Sequence, residues 1–277
     1  VETTNLQRQI LYGEADVLRP KAQAAADRLR EANGEVELRP VVADLTSGNA
    51  RELLMGFDLI ADGTDNFEAR FLINDIAILT GTPWIYCGAL GSEAVVWPLR
   101  PHETPCLRCL MEEPPATGDV DTCDSAGVLG PAVGVAASWA ALEALKILTG
   151  ETPHPDLVRF DLWRNERQFL KPPKTRCRFC TERVTEFLDA RWSLRASRLC
   201  GLDGVQIRVN PPGALNLEAL KARLEARTGQ PWKLTDVALS GMDGAWRVML
   251  FRDGRALIHG ELSPERARSW YNEVVGS

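Results

Sequence analysis

Residues 57–66, Phe57-Asp58-Leu59-Ile60-Ala61-Asp62-Gly63-Thr64-Asp65-Asn66, decide the reading of the fold. The first half, Phe57 to Ala61, is a short apolar run of strand length. The second half is a polar, glycine-containing turn. Open α/β sheets hold their ligands beyond the carboxyl ends of such strands. Downstream, Phe67 to Thr80 predicts an amphipathic helix ended by Gly81. Trp84 to Cys87 and Glu93 to Leu99 predict strands. Upstream, Pro20 to Ala32 predicts a helix and Glu35 to Ala43 a strand, with Pro40 marking an edge or bulge. Ser47 to Met55 predicts a short helix. This alternation predicts an α/β domain on a Rossmann-like, largely parallel sheet.

Further out the pattern changes. Pro101 to Ser125 reads as loop. Gly127 to Thr149 reads as a buried core helix, with Pro131 as a candidate kink. Leu157 to Leu170 reads as two strands around Trp163-Arg164-Asn165. Lys171-Pro172-Pro173-Lys174 marks a composition break. Beyond it, strands near Val205–Val209 and Trp232–Leu239, a helix over Leu217–Arg227, and an Asp253-Gly254 hairpin turn follow. A last helix over Ser263–Val275 opens with Ser263 as N-cap. The predicted organisation is a domain over 1–185 and a small α+β appendage over 190–277.

The formal net charge of −6 argues against nucleic acid as a partner, because neutralising phosphates needs a basic surface. No run of about 18 apolar residues occurs, so no membrane span is expected. No secretory signal pattern opens the sequence, and a cytoplasmic location is expected. The seven cysteines then point to metal binding or catalysis rather than a disulfide framework.

Four of them form two pairs, Cys106-Leu-Arg-Cys109 and Cys177-Arg-Phe-Cys180. A two-residue gap lets one turn present two sulfurs to one ion, and zinc favours four such ligands in a tetrahedron. Four thiolates leave no open coordination position, so the role is structural. A redox Cys-x-x-Cys is the competing reading, but such a motif usually stands alone at the start of a helix. Cys87, in Trp84-Ile85-Tyr86-Cys87, and Cys200 read as small buried apolar groups.

A second set of residues suits a triphosphate. Asn5, Arg8, Gln9 and Lys21 place amides and cations near the start, and Asp65 with Asn66 follows the apolar strand. Phosphate oxygens need cations, and one carboxylate can hold Mg²⁺ that keeps most of its waters. Taken singly, Arg8 and Lys21 read as solvated groups and Asp65 as a helix cap.

Together, five motifs in order resemble a known family. They are Asn5-Leu-x-Arg8-Gln9 followed by Lys21; Thr64-Asp65-Asn66; Pro105-Cys106-x-x-Cys109; Cys123 followed by Ala126-Gly127 and a proline-containing helix; and Cys177-x-x-Cys180. Over about residues 1–182 the chain resembles the bacterial ThiF/MoeB-type branch of the ubiquitin-activating-enzyme superfamily. The resemblance implies ATP-dependent adenylylation of the C-terminal glycine carboxylate of a small ubiquitin-like sulfur-carrier protein ending in Gly-Gly. The carrier could serve thiamine, molybdopterin or tRNA-thiolation chemistry. The resemblance also implies a homodimer, with a cysteine desulfurase or rhodanese as sulfur donor. Asn5, Arg8, Gln9, Lys21 and Asn66 would bind ATP, Asp65 would hold Mg²⁺, and the four paired cysteines a structural Zn²⁺. Cys123 would sit on a loop where some members form a covalent bond to the carrier, although Asp121 and Asp124 disfavour its thiolate.

Family members also carry a Gly-rich turn and an acidic ribose-binding residue ahead of the Asn-Leu-x-Arg-Gln motif. Here that motif comes almost at once after Val1. The expectation is therefore a chain truncated at its nucleotide cradle and weakly active as it stands. Two rivals remain open: a zinc-stabilised module that binds the carrier without catalysis, and a sulfurtransferase dependent on Cys123.

Overall fold

A computed structural model describes residues 1–115, 126–173, 175–189, 204–207, 215–260 and 263–275. The chain divides into two units: Ala43–Ser193, and Val1–Val42 together with Leu194–Ser277. Residues 1–42 carry a 3-10 turn at Thr3–Asn5 and helix α1 (Lys21–Ala32). The strand expected over 35–43 does not form. Pro40 lacks a donor, Val36 and Val41 are exposed, and no ladder partner lies alongside among the described residues.

The unit Ala43–Ser193 contains α2 (Ala50–Leu54), β1 (Ile60–Ala61), α3 (Phe67–Thr80), β2 (Trp84–Leu90), β3 (Glu93–Leu99), α4 (Leu107–Leu110), α5 (Gly130–Leu148), β4 (Leu157–Asp161), β5 (Glu166–Leu170) and α6 (Arg178–Glu182). Its sheet runs β1-β2-β3-β4-β5. The α/β class holds, but the sheet is mixed rather than largely parallel. β1 and β2 pair in parallel, with Ile60 opposite Trp84, and the other three pairings are antiparallel. Helix α3 joins the parallel pair β1 and β2, whereas β2–β3 and β4–β5 turn tightly at Gly91 and Asn165, both at positive φ, and β3 returns to an antiparallel β4 through α4 and α5.

Helix α3 begins where Asn66 accepts the N–H of Ala69 at 2.8 Å and ends at Gly81 in the left-handed region. It is not amphipathic in place: every residue from Ala69 to Ile78 is buried. Phe71, Leu72 and Ile76 pack with Trp84, Trp97, Leu107 and Phe187. Three polar side chains, Arg70, Asn74 and Asp75, are thereby enclosed as well.

Helix α5 corrects another expectation. It lies against β2 and β3, with Ala136 in a core shared by Ile85, Val96 and Phe160. Its outer side is open, and Leu142, Leu145 and Leu148 are exposed. One sheet face can cover only one side of a helix. Pro131 lies in the first turn, where no intrahelical hydrogen bond is lost, so no kink is required. By length and composition alone α5 could cross a membrane; in this fold it packs on the sheet.

The second sheet is built from β6 (Gly204–Ile207), β7 (Lys233–Leu234), β8 (Ala238–Asp243), β9 (Trp246–Phe251) and β10 (Ala256–His259) in the order β6-β10-β9-β8-β7, all antiparallel. The segment read as one strand over 232–239 is divided between β7 and β8. Helices α7 (Leu217–Thr228) and α8 (Pro264–Val274) close one core with it, through Leu217, Leu224, Trp270 and Val274 against Val248, Leu250 and Ile258. The turn at Asp253-Gly254 forms as read, with Gly254 at φ 92°, and Ser263 caps α8 by accepting the N–H of Arg266.

Candidate functional site

The two Cys-x-x-Cys motifs each open a short helix. Cys106 is the N-cap of α4 and Cys177 the N-cap of α6. The fold brings the four sulfurs into one cluster, all within 4.8 Å of one another. The Sγ–Sγ separations are 3.8 Å for Cys106–Cys109, 3.6 Å for Cys106–Cys177, 3.6 Å for Cys109–Cys180 and 3.9 Å for Cys177–Cys180. A disulfide would need about 2.05 Å. A tetrahedron with Zn–S bonds of about 2.3 Å has S–S edges of about 3.8 Å. The donor set and its spacing therefore fit zinc.

The electrostatics of the cluster suit a bound cation. The hydrogen bond to Cys109, then burial, pushes the Cys106 thiol up, while that same hydrogen bond holds Cys109 down at about 4. Burial pushes Cys180 up to about 11. Four thiols packed this closely cannot all ionise without a cation between them.

Helix α3 holds this cluster in register. Asn74 Oδ1 accepts the N–H of Leu107 at 3.0 Å, inside the first Cys pair. Asp75 Oδ2 accepts the N–H groups of Phe187 at 2.9 Å and Leu188 at 3.4 Å, just beyond the second. Arg108, 3 % exposed, lies over the Phe179 ring and donates to Glu186 at 3.2 Å and to the carbonyl of Glu112 at 3.0 Å. Motif reading finds the cysteines but none of these supports. The available signal was Asn74-Asp75 in the midst of the apolar run Phe71–Leu79.

The other end of α3 carries the carboxylate turn. The Asp62 N–H donates to the Ile85 carbonyl at 3.0 Å and so prolongs the β1–β2 pairing. Asp62 Oδ1 accepts the N–H and the hydroxyl of Thr64 at 2.8 and 2.7 Å. Asp62 Oδ2 accepts from Arg70 Nε at 3.2 Å. Burial pushes the Asp62 carboxyl above its ordinary range, and Arg70 and Thr64 pull it back. Asn66 serves as the cap of α3, which leaves Asp65 exposed and with no ion pair or hydrogen bond to the described residues. A lone carboxylate on a fixed turn suits Mg²⁺, which takes one or two protein carboxylates and keeps several waters.

Asn5, Arg8, Gln9 and Lys21 lie in the segment Val1–Val42, assigned to the other unit. Asn5 is buried and accepts the Glu2 N–H at 3.1 Å. Arg8 donates to the Thr4 carbonyl at 2.9 Å. Gln9 Oε1 is buried with no hydrogen-bond partner among the described residues. Lys21 is exposed at the start of α1. Cys123 and Cys200 lie outside the described residues. Cys87 is half-buried on β2, where burial pushes its thiol up to about 11, and it packs with the α5 core as expected.

Fold and site together define an α/β protein with a four-cysteine metal centre and an acidic turn at the end of a parallel strand. The chain belongs to the ThiF family, whose model matches residues 1–181. The sulfur carrier protein ThiS adenylyltransferase of Bacillus subtilis is 40% identical over 281 residues, spanning 100% of this chain and 83% of that protein. The sulfur carrier protein adenylyltransferase of Thermus thermophilus is 44% identical over 156 residues, 54% of this chain and 57% of that protein. The adenylyltransferase and sulfurtransferase MOCS3 of Sus scrofa is 35% identical over 243 residues. The chain spans only about half the length of the last two, 57% and 53%. Among solved structures, Escherichia coli MccB with ATP superposes with a TM-score of 0.55 at 18% identity, over 65% of this chain and 56% of that one. That likeness concerns the fold alone.

Proposed function

We propose that this chain adenylylates the C-terminal glycine carboxylate of a small ubiquitin-like sulfur-carrier protein. The observation that carries the reading is the Asp65 turn: an exposed, unpartnered carboxylate held at the end of β1 by a buried network. The 40% identity to the Bacillus ThiS adenylyltransferase supports the choice of a ThiS-like carrier. In the reaction, an oxygen of the carrier's terminal carboxylate attacks the α-phosphorus of ATP. The bond from that phosphorus to the bridging oxygen breaks, and pyrophosphate leaves. The carboxylate is already ionised at neutral pH, so no strong base is needed. All reactants are anionic, and catalysis rests on positioning and charge neutralisation.

In this reading Asp65 holds Mg²⁺, which supplies positive charge to the phosphates when bound. Arg8 and Lys21 contribute cations, and Asn5, Gln9 and Asn66 contribute amides. The exposed Lys21 ammonium is open to a phosphate. The four-cysteine centre holds Zn²⁺ and is structural, because four thiolates fill the tetrahedron. The family match ending at residue 181 supports taking 1–185 as the adenylyltransferase domain and 190–277 as an appendage. The working unit is a homodimer fed by a separate sulfur donor.

The test is ATP–pyrophosphate exchange with a carrier ending in Gly-Gly. Carrier-dependent exchange that is lost in Asp65→Ala supports the proposal. Carrier binding without any exchange overturns it in favour of a non-catalytic module.

A further inference from the structure

We propose that Arg70 is the positioning residue of the Asp65 turn, fixing the peptide in front of that carboxylate so that it meets a divalent cation already oriented. The proposal rests on the adenylyltransferase reading for what Asp65 binds, but its geometry stands separately.

Arg70 lies one turn into α3 and is 8% exposed. Its two Nη2 hydrogens match two carbonyls, Thr64 at 2.8 Å and Cys87 at 3.0 Å. Its Nε donates to Asp62 at 3.2 Å and its Nη1 to the Tyr86 hydroxyl at 3.4 Å. The guanidinium lies 4.8 Å from the Tyr86 ring centroid and 5.5 Å from that of Phe67. One side chain thus ties the turn to β2 and to its own helix. Room for it depends on Gly88, where an added Cβ would stand 3.4 Å from Nη2 and 3.3 Å from Val95.

The consequence falls on Asp65. Thr64 has its N–H held by Asp62 and its carbonyl held by Arg70, while Asn66 is pinned by its cap to Ala69. Asp65 is the one residue between two fixed neighbours, and its own side chain is free. Such an arrangement removes backbone freedom before a ligand arrives, which is how preorganisation raises affinity. Lysine cannot replace this fork: its three donors diverge from one point and cannot reach carbonyls on two segments in a plane.

The experiment compares wild type, Arg70→Lys, Tyr86→Phe and Asp65→Ala in the full chain. The first readout is the Mg²⁺ concentration at half-maximal ATP–pyrophosphate exchange with a Gly-Gly-ending carrier. The second is hydrogen–deuterium exchange of the Thr64–Asn66 amides without nucleotide. Arg70→Lys is expected to raise half-saturating Mg²⁺ about tenfold, the loss of about one hydrogen bond to a charged group. Excess Mg²⁺ should restore most of the maximal rate, and the turn amides should exchange about tenfold faster. Asp65→Ala should lose the metal response yet keep slow turn amides. If Arg70→Lys lowers only the active fraction, with Mg²⁺ half-saturation and turn amides unchanged, Arg70 is merely structural and the proposal fails. If Arg70→Lys does not fold, Tyr86→Phe decides by a smaller shift in the same direction or none. No exchange reaction in wild type removes the adenylyltransferase reading, and the amide comparison then decides the role of Arg70 alone.

Discussion

The carboxylate of Asp75 accepts the backbone N–H of Phe187 at 2.9 Å, a contact 112 positions apart in the chain. With Asn74 holding Leu107, it fastens both Cys-x-x-Cys segments to one helix. The same helix, one turn earlier, fastens the Asp65 turn through Arg70. The metal centre and the acidic turn are therefore two ends of one rigid element.

Asp75 predicts a pH dependence of stability. Burial raises its carboxyl to about 6 in the folded chain, against about 3.9 unfolded. Between those values the folded state binds more protons, so stability falls as pH rises and the full cost is present above about 6. The cost is on the order of 2–3 kcal/mol. Asp75→Asn is expected to be clearly destabilising at pH 5 and less so at pH 7.5. Urea unfolding at both pH values checks this, and an equal penalty at the two would refute it.

The four-cysteine centre predicts one zinc per chain by elemental analysis. Cys177→Ser should lose that zinc and several kcal/mol of stability, because metal binding to an ordered site adds directly to folding. Retention of full metal and thermal midpoint would show that the cluster is only a group of reduced thiols.

Asp65→Ala separates chemistry from folding. The side chain is exposed and unpartnered, so the melting temperature should stay within about 1 °C. Pyrophosphate exchange should fall at least about 100-fold, the scale of losing a major charge-stabilising group. A large drop in melting temperature would show that the turn depends on this carboxylate itself.

The second sheet offers a packing test. A Cβ at Gly241 would lie 2.3 Å from Cδ2 of Trp232, which is itself 2% exposed. Gly241→Ala should cost about 1–3 kcal/mol by overpacking. Trp232 fluorescence should shift as the indole is displaced, and an unchanged spectrum with unchanged stability would contradict the geometry.

The sequence alone determined the elements whose causes are local. Gly81 ends α3 as read, because left-handed termination acts within a few residues, whereas the cap at its start is Asn66 and not Asp65. Asp253-Gly254 turned its hairpin for the same reason. The paired cysteines were legible because metal coordination restricts both residue type and spacing. The tertiary structure alone decided what long-range partners control. The mixed order of the first sheet depended on which strands met, and residues 35–43 formed no strand without a partner to complete a ladder. Leu142, Leu145 and Leu148 are apolar in sequence, yet the sheet covers only the other side of α5. Arg70, Asn74 and Asp75 were the least legible of all. Periodicity shows which side chains share a helix face, but a buried polar group is held by donors and acceptors elsewhere in the chain, and Asp75 finds its own at Phe187.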